Sequence, residues 1–168
     1  SFLIPLIYFS IKIKISKLLN LYFIFFLICL QGFIGWYMVS SGLNDRVDVS
    51  HYRLSLHLLI AFLILSLIFW NYLKININKK ILVNINPIIP FIFLILIFIQ
   101  IAIGAFVSGM DAGKIYNSWP YMGNSYFPDD NSFTNLFNLS ALSDPSLVQF
   151  IHRNLAYLIA IVYIFIFY

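Results

Sequence analysis

The sequence contains no glutamate, a single cysteine and little charge of either sign. Only 10% of its 168 residues are charged, whereas 62% are hydrophobic, and the mean hydropathy is +0.93. Soluble domains carry about 25% charged residues, so this chain cannot clothe a water-facing surface, and lipid must solvate much of it. One thiol cannot close an internal disulfide, and Cys29, in the middle of an apolar run, reads as a small core residue. There is no glycine-rich phosphate loop and no Cys/His spacing of a zinc site. The net charge of +4 comes without a basic patch interleaved with aromatics, which argues against a nucleic-acid partner.

What is present is four long apolar runs, at about 21–40, 52–73, 87–109 and 147–168. Each approaches the ~20 residues that a helix needs to cross ~30 Å of hydrocarbon. Barrel strands would alternate over ~10 residues; these runs are continuous, so the fold class is all-α, a polytopic membrane bundle. Residues 1–16 read as the tail of an earlier span. The chain starts at Ser1 inside one apolar run and stops at Tyr168 inside another, which suggests a truncated product with spans missing on both sides.

Charge sets the orientation. Lys12, Lys14 and Lys17 precede the first full span, and Lys74, Lys79 and Lys80 lie between the second and third, with no acid among them. The other links hold Arg46, Arg53, Lys114 and Arg153 with all six aspartates, Asp45, Asp48, Asp111, Asp129, Asp130 and Asp144. The positive-inside rule puts the lysine links in the cytoplasm and the aspartate links outside. The long outer link at about 110–146 carries Trp119, Pro120, Tyr121, Tyr126, Phe127 and Pro128. Such aromatics suit a membrane interface, and the link is expected to fold back as a cap over the bundle mouth.

Two spans share a pattern. Gln31-Gly-Phe-Ile-Gly35 and Gln100-Ile-Ala-Ile-Gly104 both read Gln-x-x-Ile-Gly near the outer end of an outward-running helix. The inward span that follows each carries a histidine near its start, His57 or His152, with Ala61 or Ala156 four residues on. Parallel repeats about an axis along the membrane normal are a known architecture, and this one would set both histidines at similar depth beneath the outer surface.

An ionisable side chain within a span points to function, and a neutral imidazole is a good iron ligand. Alanine at i+4 lies on the same helix face and leaves room for a flat macrocycle, with Ser66 and Ala160 extending that low-relief face. Arg53, one turn nearer the surface than His57, could pair with haem propionates; Arg53 and Arg153 could equally be interfacial anchors. A single histidine could instead snorkel to the interface. His51 reads as a solvated link residue. Gly104, Gly109 and Gly113 read as close-packing or turn positions.

Three blocks carry a resemblance. Gln31-Gly-Phe-Ile-Gly-Trp-Tyr-Met-Val-Ser-Ser-Gly-Leu43 with Val49-Ser-His-Tyr-Arg-Leu-Ser-Leu-His-Leu58 is the first. Gly104-Ala-Phe-Val-Ser-Gly-Met-Asp-Ala-Gly-Lys-Ile-Tyr-Asn-Ser-Trp-Pro-Tyr-Met-Gly123 is the second, and Val148-Gln-Phe-Ile-His-Arg-Asn-Leu-Ala156 the third. In order and spacing, over nearly the whole chain, they resemble the haem A synthase family, most closely its alphaproteobacterial and mitochondrial type.

The resemblance implies an eight-span protein in two pseudo-symmetric four-helix halves. Residues 1–80 would be the end of the first half and residues 81–168 the start of the second. Each half would hold one haem between two histidines: haem O, the substrate, in the first and haem b in the second. His57 and His152 would be one axial iron ligand in each, with Arg53 and Arg153 as further haem-binding residues. The family oxidises a methyl group of haem O to a formyl group, yielding haem A for terminal oxidases. Its proposed catalytic glutamate lies in the outer link between the first two spans, outside this chain, so the segment alone is expected to be inactive. The family further implies a haem O donor (haem O synthase), an electron donor, a possible homo-oligomer, and a bacterial or mitochondrial inner-membrane location. Outer-link aspartates such as Asp111 could shape propionate contacts or proton delivery. The alternative is a non-enzymatic dihaem b-type electron carrier, and a further one is a transporter or scaffold without haem.

Overall fold

The computed structural model describes the backbone of residues 3–12, 15–42, 49–76 and 86–167. Five α-helices appear in chain order: α1 (Leu3–Lys12), α2 (Ile15–Gly42), α3 (His51–Asn76), α4 (Ile88–Gly109) and α5 (Pro145–Phe167). No strand occurs among the described residues. Four stretches are long and apolar enough to cross a bilayer: Leu19–Ser40, His51–Lys74, Ile88–Gly109 and Pro145–Ile166. They coincide with the four runs read from sequence. Phe23, Phe26, Phe33, Phe69, Ile92 and Phe165 point outward from these helices. In water such a surface would drive aggregation, whereas in a bilayer it is solvated by acyl chains.

The helices form a row in which each packs on the next, α2 on α3, α3 on α4 and α4 on α5. Two apolar clusters hold the row together. Ile24 and Leu27 of α2 meet Ile64 of α3. Ile103 and Phe106 of α4 meet Val148 of α5. Between α3 and α4 the buried Ser55 hydroxyl donates to the Ala102 carbonyl at 3.2 Å. Interhelical hydrogen bonds of this kind contribute about 0.6 kcal/mol in a bundle.

Local chemistry fixes the ends. α4 begins beside Pro87, with Pro90 in its first turn where a missing N–H costs nothing, and the Ile88 N–H donates to Asn86 Oδ1. It ends at Gly109, and the chain reverses through Asp111 at φ 52°, a left-handed conformation that Asp tolerates better than most residues. At the start of α5, Pro145 takes the first helical position and the Asp144 carboxylate accepts the Leu147 N–H at 3.0 Å, a side-chain N-cap.

Two readings are corrected. Cys29 is exposed rather than in the core: α2 lies at the edge of the row, so one side of it looks away from its neighbours. His51 is not a solvated link residue. It is the first residue of α3, half-buried, with its ring edge-on to Phe106 at 5.2 Å between centroids. The orientation argument rests mainly on positions outside the described residues: Lys14, Asp45, Arg46, Asp48, Lys79, Lys80 and the side chains of Lys12 and Lys17. The boundary at 80/81 lies outside them as well. Lys74, the remaining lysine of the inner link, ends α3 over the Trp70 ring.

The tightest helix contact lies where α3 starts against the end of α4. A Cβ placed on Gly109 would stand 2.9 Å from His51 Cβ and 3.0 Å from His51 Cα. No rotamer change relieves a clash with backbone, so the helices would have to part. Gly109→Ala is expected to destabilise the bundle by about 1–3 kcal/mol, the cost of overpacking a close contact. Thermal unfolding of the protein in detergent measures it, and an unchanged midpoint would refute the contact.

Candidate functional site

The two histidines occupy the same environment twice. His57, on the second turn of α3, faces α2. The Gln31 side-chain Nε2 donates to the His57 backbone carbonyl at 3.0 Å and lies 3.1 Å from the imidazole Nε2. His152, on the second turn of α5, faces α4 in the same way. Gln100 Nε2 donates to the His152 carbonyl at 3.2 Å and lies 3.4 Å from its Nε2. The repeated sequence pattern is therefore a repeated side-chain constellation, built from one outward helix and the inward helix after it.

The glycine of each pattern completes the unit. A Cβ on Gly35 would stand 3.0 Å from His57 Cε1, and one on Gly104 would stand 3.1 Å from His152 Cε1. Each imidazole thus lies against bare backbone, one turn from the glutamine that contacts it. Sequence reading had recorded both glutamines and both glycines as a pattern without seeing that they touch the histidines. The i, i+4 spacing of Gln and Gly was the available signal, because it puts both on one helix face.

The rings are half-buried in apolar spans. His57 Nδ1, His152 Nδ1, Gln31 Oε1 and Gln100 Oε1 are all buried without a hydrogen-bond partner among the described residues. An unsatisfied buried polar atom costs about 1–3 kcal/mol, so four at two matched positions mark sites with bonding capacity left over. An imidazole nitrogen in a low-dielectric pocket is the kind of donor that iron takes. On this ground His57 and His152 each fit a haem. Ala61 and Ala156, one turn deeper, are both half-buried. Among the described residues no three His, Cys, Asp or Glu side chains gather as a metal-ion site, so a bare-ion centre is not supported.

The arginines part company. Arg53 lays its guanidinium over the Tyr37 ring of α2, 5.0 Å from the centroid. Arg153 is turned to the outer link: Nη1 donates to the Ser118 carbonyl at 2.9 Å and Nη2 to the Tyr116 carbonyl at 2.7 Å. It is one of several α5 residues that hold the link down. Gln149 donates to the Tyr116 carbonyl, Asn154 accepts from the Tyr126 hydroxyl, and Tyr157 accepts from the Trp119 indole. Positions 149, 153, 154 and 157 share one face of α5. The long outer link therefore folds back onto the outer turns of α5, next to His152, much as its aromatic content implied. Asp111 is exposed and pairs with Lys114 at 2.9 Å.

Within the link, carboxylates organise the backbone. The Asp129 side chain accepts from the Asn124 N–H and the Ser125 hydroxyl, and Gly123 at φ 94° leaves the space it needs. Asp130 accepts from Tyr116 and from Ser146 at the start of α5. Burial pushes the Asp130 carboxyl up, but the bonds from Ser146, Tyr116 and Asn131 outweigh it and hold the group below its ordinary value. Burial, and then the bond to Asp130, pushes the Tyr116 hydroxyl up.

Because the folded pKa of Asp130 is depressed, its anchoring is present above the ordinary carboxylate range and is lost as pH falls through the folded value. Amide protection factors across residues 129–132, corrected for the intrinsic pH dependence of exchange, are expected to be high at neutral pH and to fall only in acid. Asp130→Asn should exchange fast throughout that range; equal protection in variant and parent would remove Asp130 as an anchor.

With this geometry in place, comparison with known proteins is specific. The whole chain, residues 1–168, matches the family model COX15-CtaA, cytochrome oxidase assembly protein. Heme A synthase of Pelagibacter ubique (strain HTCC1062) is 51% identical over 161 residues, covering 94% of this chain and 47% of the relative. Heme A synthase of Wolbachia pipientis wMel is 44% identical over 171 residues, covering 94% and 47%. That of Rickettsia felis (strain ATCC VR-1525 / URRWXCal2) is 42% identical over 159 residues, covering 90% and 47%. The chain spans about half the length of these curated relatives. No solved structure matches it. Four membrane-capable helices and these bacterial relatives make it a multi-pass inner-membrane protein. By its full-length match to the model, the chain belongs to the cytochrome oxidase assembly protein family COX15-CtaA, in its alphaproteobacterial form.

Proposed function

We propose that this chain is part of a haem A synthase, an enzyme that oxidises a methyl group of haem O to a formyl group and so makes haem A for terminal oxidases. The observation that carries the reading is the duplicated unit in which Gln31 and Gly35 frame His57 and Gln100 and Gly104 frame His152. In this reading residues 1–80 belong to one four-helix half and residues 81–168 to the other. His57 would hold the substrate haem O, and His152 a resident haem b.

Haem iron supplies the redox chemistry when bound. The chain's own residues bind, orient and enclose. The two histidines fix the depth of the macrocycles, and apolar spans keep water from the reacting edge. We assign a propionate contact to Arg53, one turn outward of His57. Arg153, bonded to the Tyr116 and Ser118 carbonyls, serves its site through the link that it holds over the outer mouth. The reaction also needs haem O supplied by a haem O synthase and an electron donor, and a homo-oligomeric assembly is compatible with it.

Replacing the histidines one at a time in the full-length protein tests the proposal. His57→Ala is expected to abolish haem A formation and deplete haem O and haem A. His152→Ala is expected to deplete haem b. Solvent extraction and chromatographic typing of the haems reads both outcomes, and a double variant that kept its full pigment complement would overturn the assignment.

A further inference from the structure

We infer that the stretch 133–139 of the link is an interfacial anchor. Phe133, Phe137 and Leu139 enter the boundary layer between lipid headgroups and acyl chains, in the leaflet on the side of the link. The inference goes beyond the haem reading and does not depend on it.

The argument begins with a file of rings that starts inside a membrane-crossing helix. Phe150 lies in the second turn of α5. Phe127 meets it edge-on at 5.0 Å between centroids, Phe133 follows Phe127 at 5.8 Å, and Phe137 follows Phe133 at 5.6 Å. Exposure rises along the file. Phe150 and Phe127 are half-buried, whereas Phe133 is 62% exposed, Phe137 77% and Leu139, just beyond, 92%. Large apolar side chains gathered at a surface mark contact with an apolar medium or partner. The file runs on from a helix whose outward side chains are solvated by acyl chains, so the apolar medium within reach is the same bilayer.

The composition of the stretch points the same way. Residues 131–143 hold no charged side chain, although Asp129, Asp130 and Asp144 flank them. A protein partner recognised by charge would find nothing here to pair with. The polar residues between the apolar ones are Asn, Ser and Thr, small groups that suit a partly hydrated layer. Such a layer also requires backbone N–H groups to find partners within the chain. The 3₁₀ turns at Phe133–Phe137 and Leu139–Ser143 provide them. The N–H groups of Asn135, Asn138 and Ala141 donate to the carbonyls of Ser132, Asn135 and Asn138. The side chains pair too, Ser132 with Thr134 at 2.9 Å and Asn135 with Asn131 at 3.4 Å. The other side of the stretch is already packed: Ala141 is buried, and Leu142 lies against the cluster of Ile103, Phe106 and Val148. One side therefore rests on the bundle, and the side with Phe133, Phe137 and Leu139 faces lipid. Amphipathic segments of this kind sink their apolar face about 5–10 Å into the headgroup–acyl boundary.

The test uses the full-length protein, made cysteine-free by changes that include Cys29→Ser, in phosphatidylcholine vesicles. Single nitroxide labels are placed through Phe137→Cys and Leu139→Cys, with Phe165→Cys on the lipid-facing side of α5 as a reference. Electron paramagnetic resonance then compares collisions with oxygen, which concentrates in lipid, against collisions with a water-soluble nickel chelate. Labels at 137 and 139 are expected to favour oxygen and to lie about 5–10 Å into the boundary layer. Free access to the nickel chelate would put the stretch in water and overturn the inference. Access to neither reagent would mean that protein covers it, a second copy or another part of the chain, and overturns it as well. Should the labelled variants fail to fold, a phospholipid with a photoreactive diazirine near its glycerol is crosslinked to the unaltered protein. Adducts mapped to 133–139 by mass spectrometry would support the anchor, and adducts in the spans with none at 133–139 would refute it.

Discussion

Burying an uncharged but polar ring among hydrocarbon side chains is the constraint from which the rest of this molecule follows. Each imidazole forfeits its hydration when its helix enters the bilayer, and unpaired polar groups there cost several kcal/mol. The bundle meets that cost with the preceding helix, which brings a carboxamide to the ring and a glycine beneath it. The smallest competent unit is thus a two-helix hairpin and not a single span. Two such hairpins, α2 with α3 and α4 with α5, are joined where α3 lies along α4 through Ser55 and the close approach at Gly109.

A row of hairpins has a consequence for chemistry. Because the unit is the same in both, differences in what the two sites do must come from what surrounds them. His57 has an arginine over a tyrosine ring, Arg53 on Tyr37, on its outward side. His152 has a folded link anchored through Gln149, Arg153, Asn154 and Tyr157. The first surrounding sets a guanidinium against an aromatic ring, whereas the second sets one on backbone carbonyls.

Much of this was legible in the sequence. Continuous apolar runs of bilayer length gave the four spans, because no soluble fold tolerates so little charge. The duplicated Gln-x-x-Ile-Gly pattern and the histidine that follows each pointed to the two matched side-chain constellations. What sequence could not give was contact between elements. Gln31 lies 26 residues from His57 and Gln100 lies 52 residues from His152, and only the packing of consecutive helices makes them neighbours. The same limit explains Cys29 and His51. An apolar run does not tell which face of an edge helix looks out, and a link residue becomes a packed one when its helix starts one residue early, at His51 against Phe106.

The folded outer link shows how the polar groups of a long connection are satisfied on so apolar a bundle. Its backbone carbonyls at 116 and 118 are satisfied by side chains of α5, and its own carboxylates at 129 and 130 satisfy N–H and O–H groups from 116, 124, 125 and 146. Asp130 reaches from the link to Ser146, in the first turn of α5, while Asp144 caps that turn and accepts from Asn131. The link therefore defines where α5 begins. As helix geometry is rigid at 1.5 Å per residue, the start of α5 sets the depth of His152. A polar network in the link thereby fixes the height of an imidazole two turns along the helix, which ties the aspartates of the link to the position of His152.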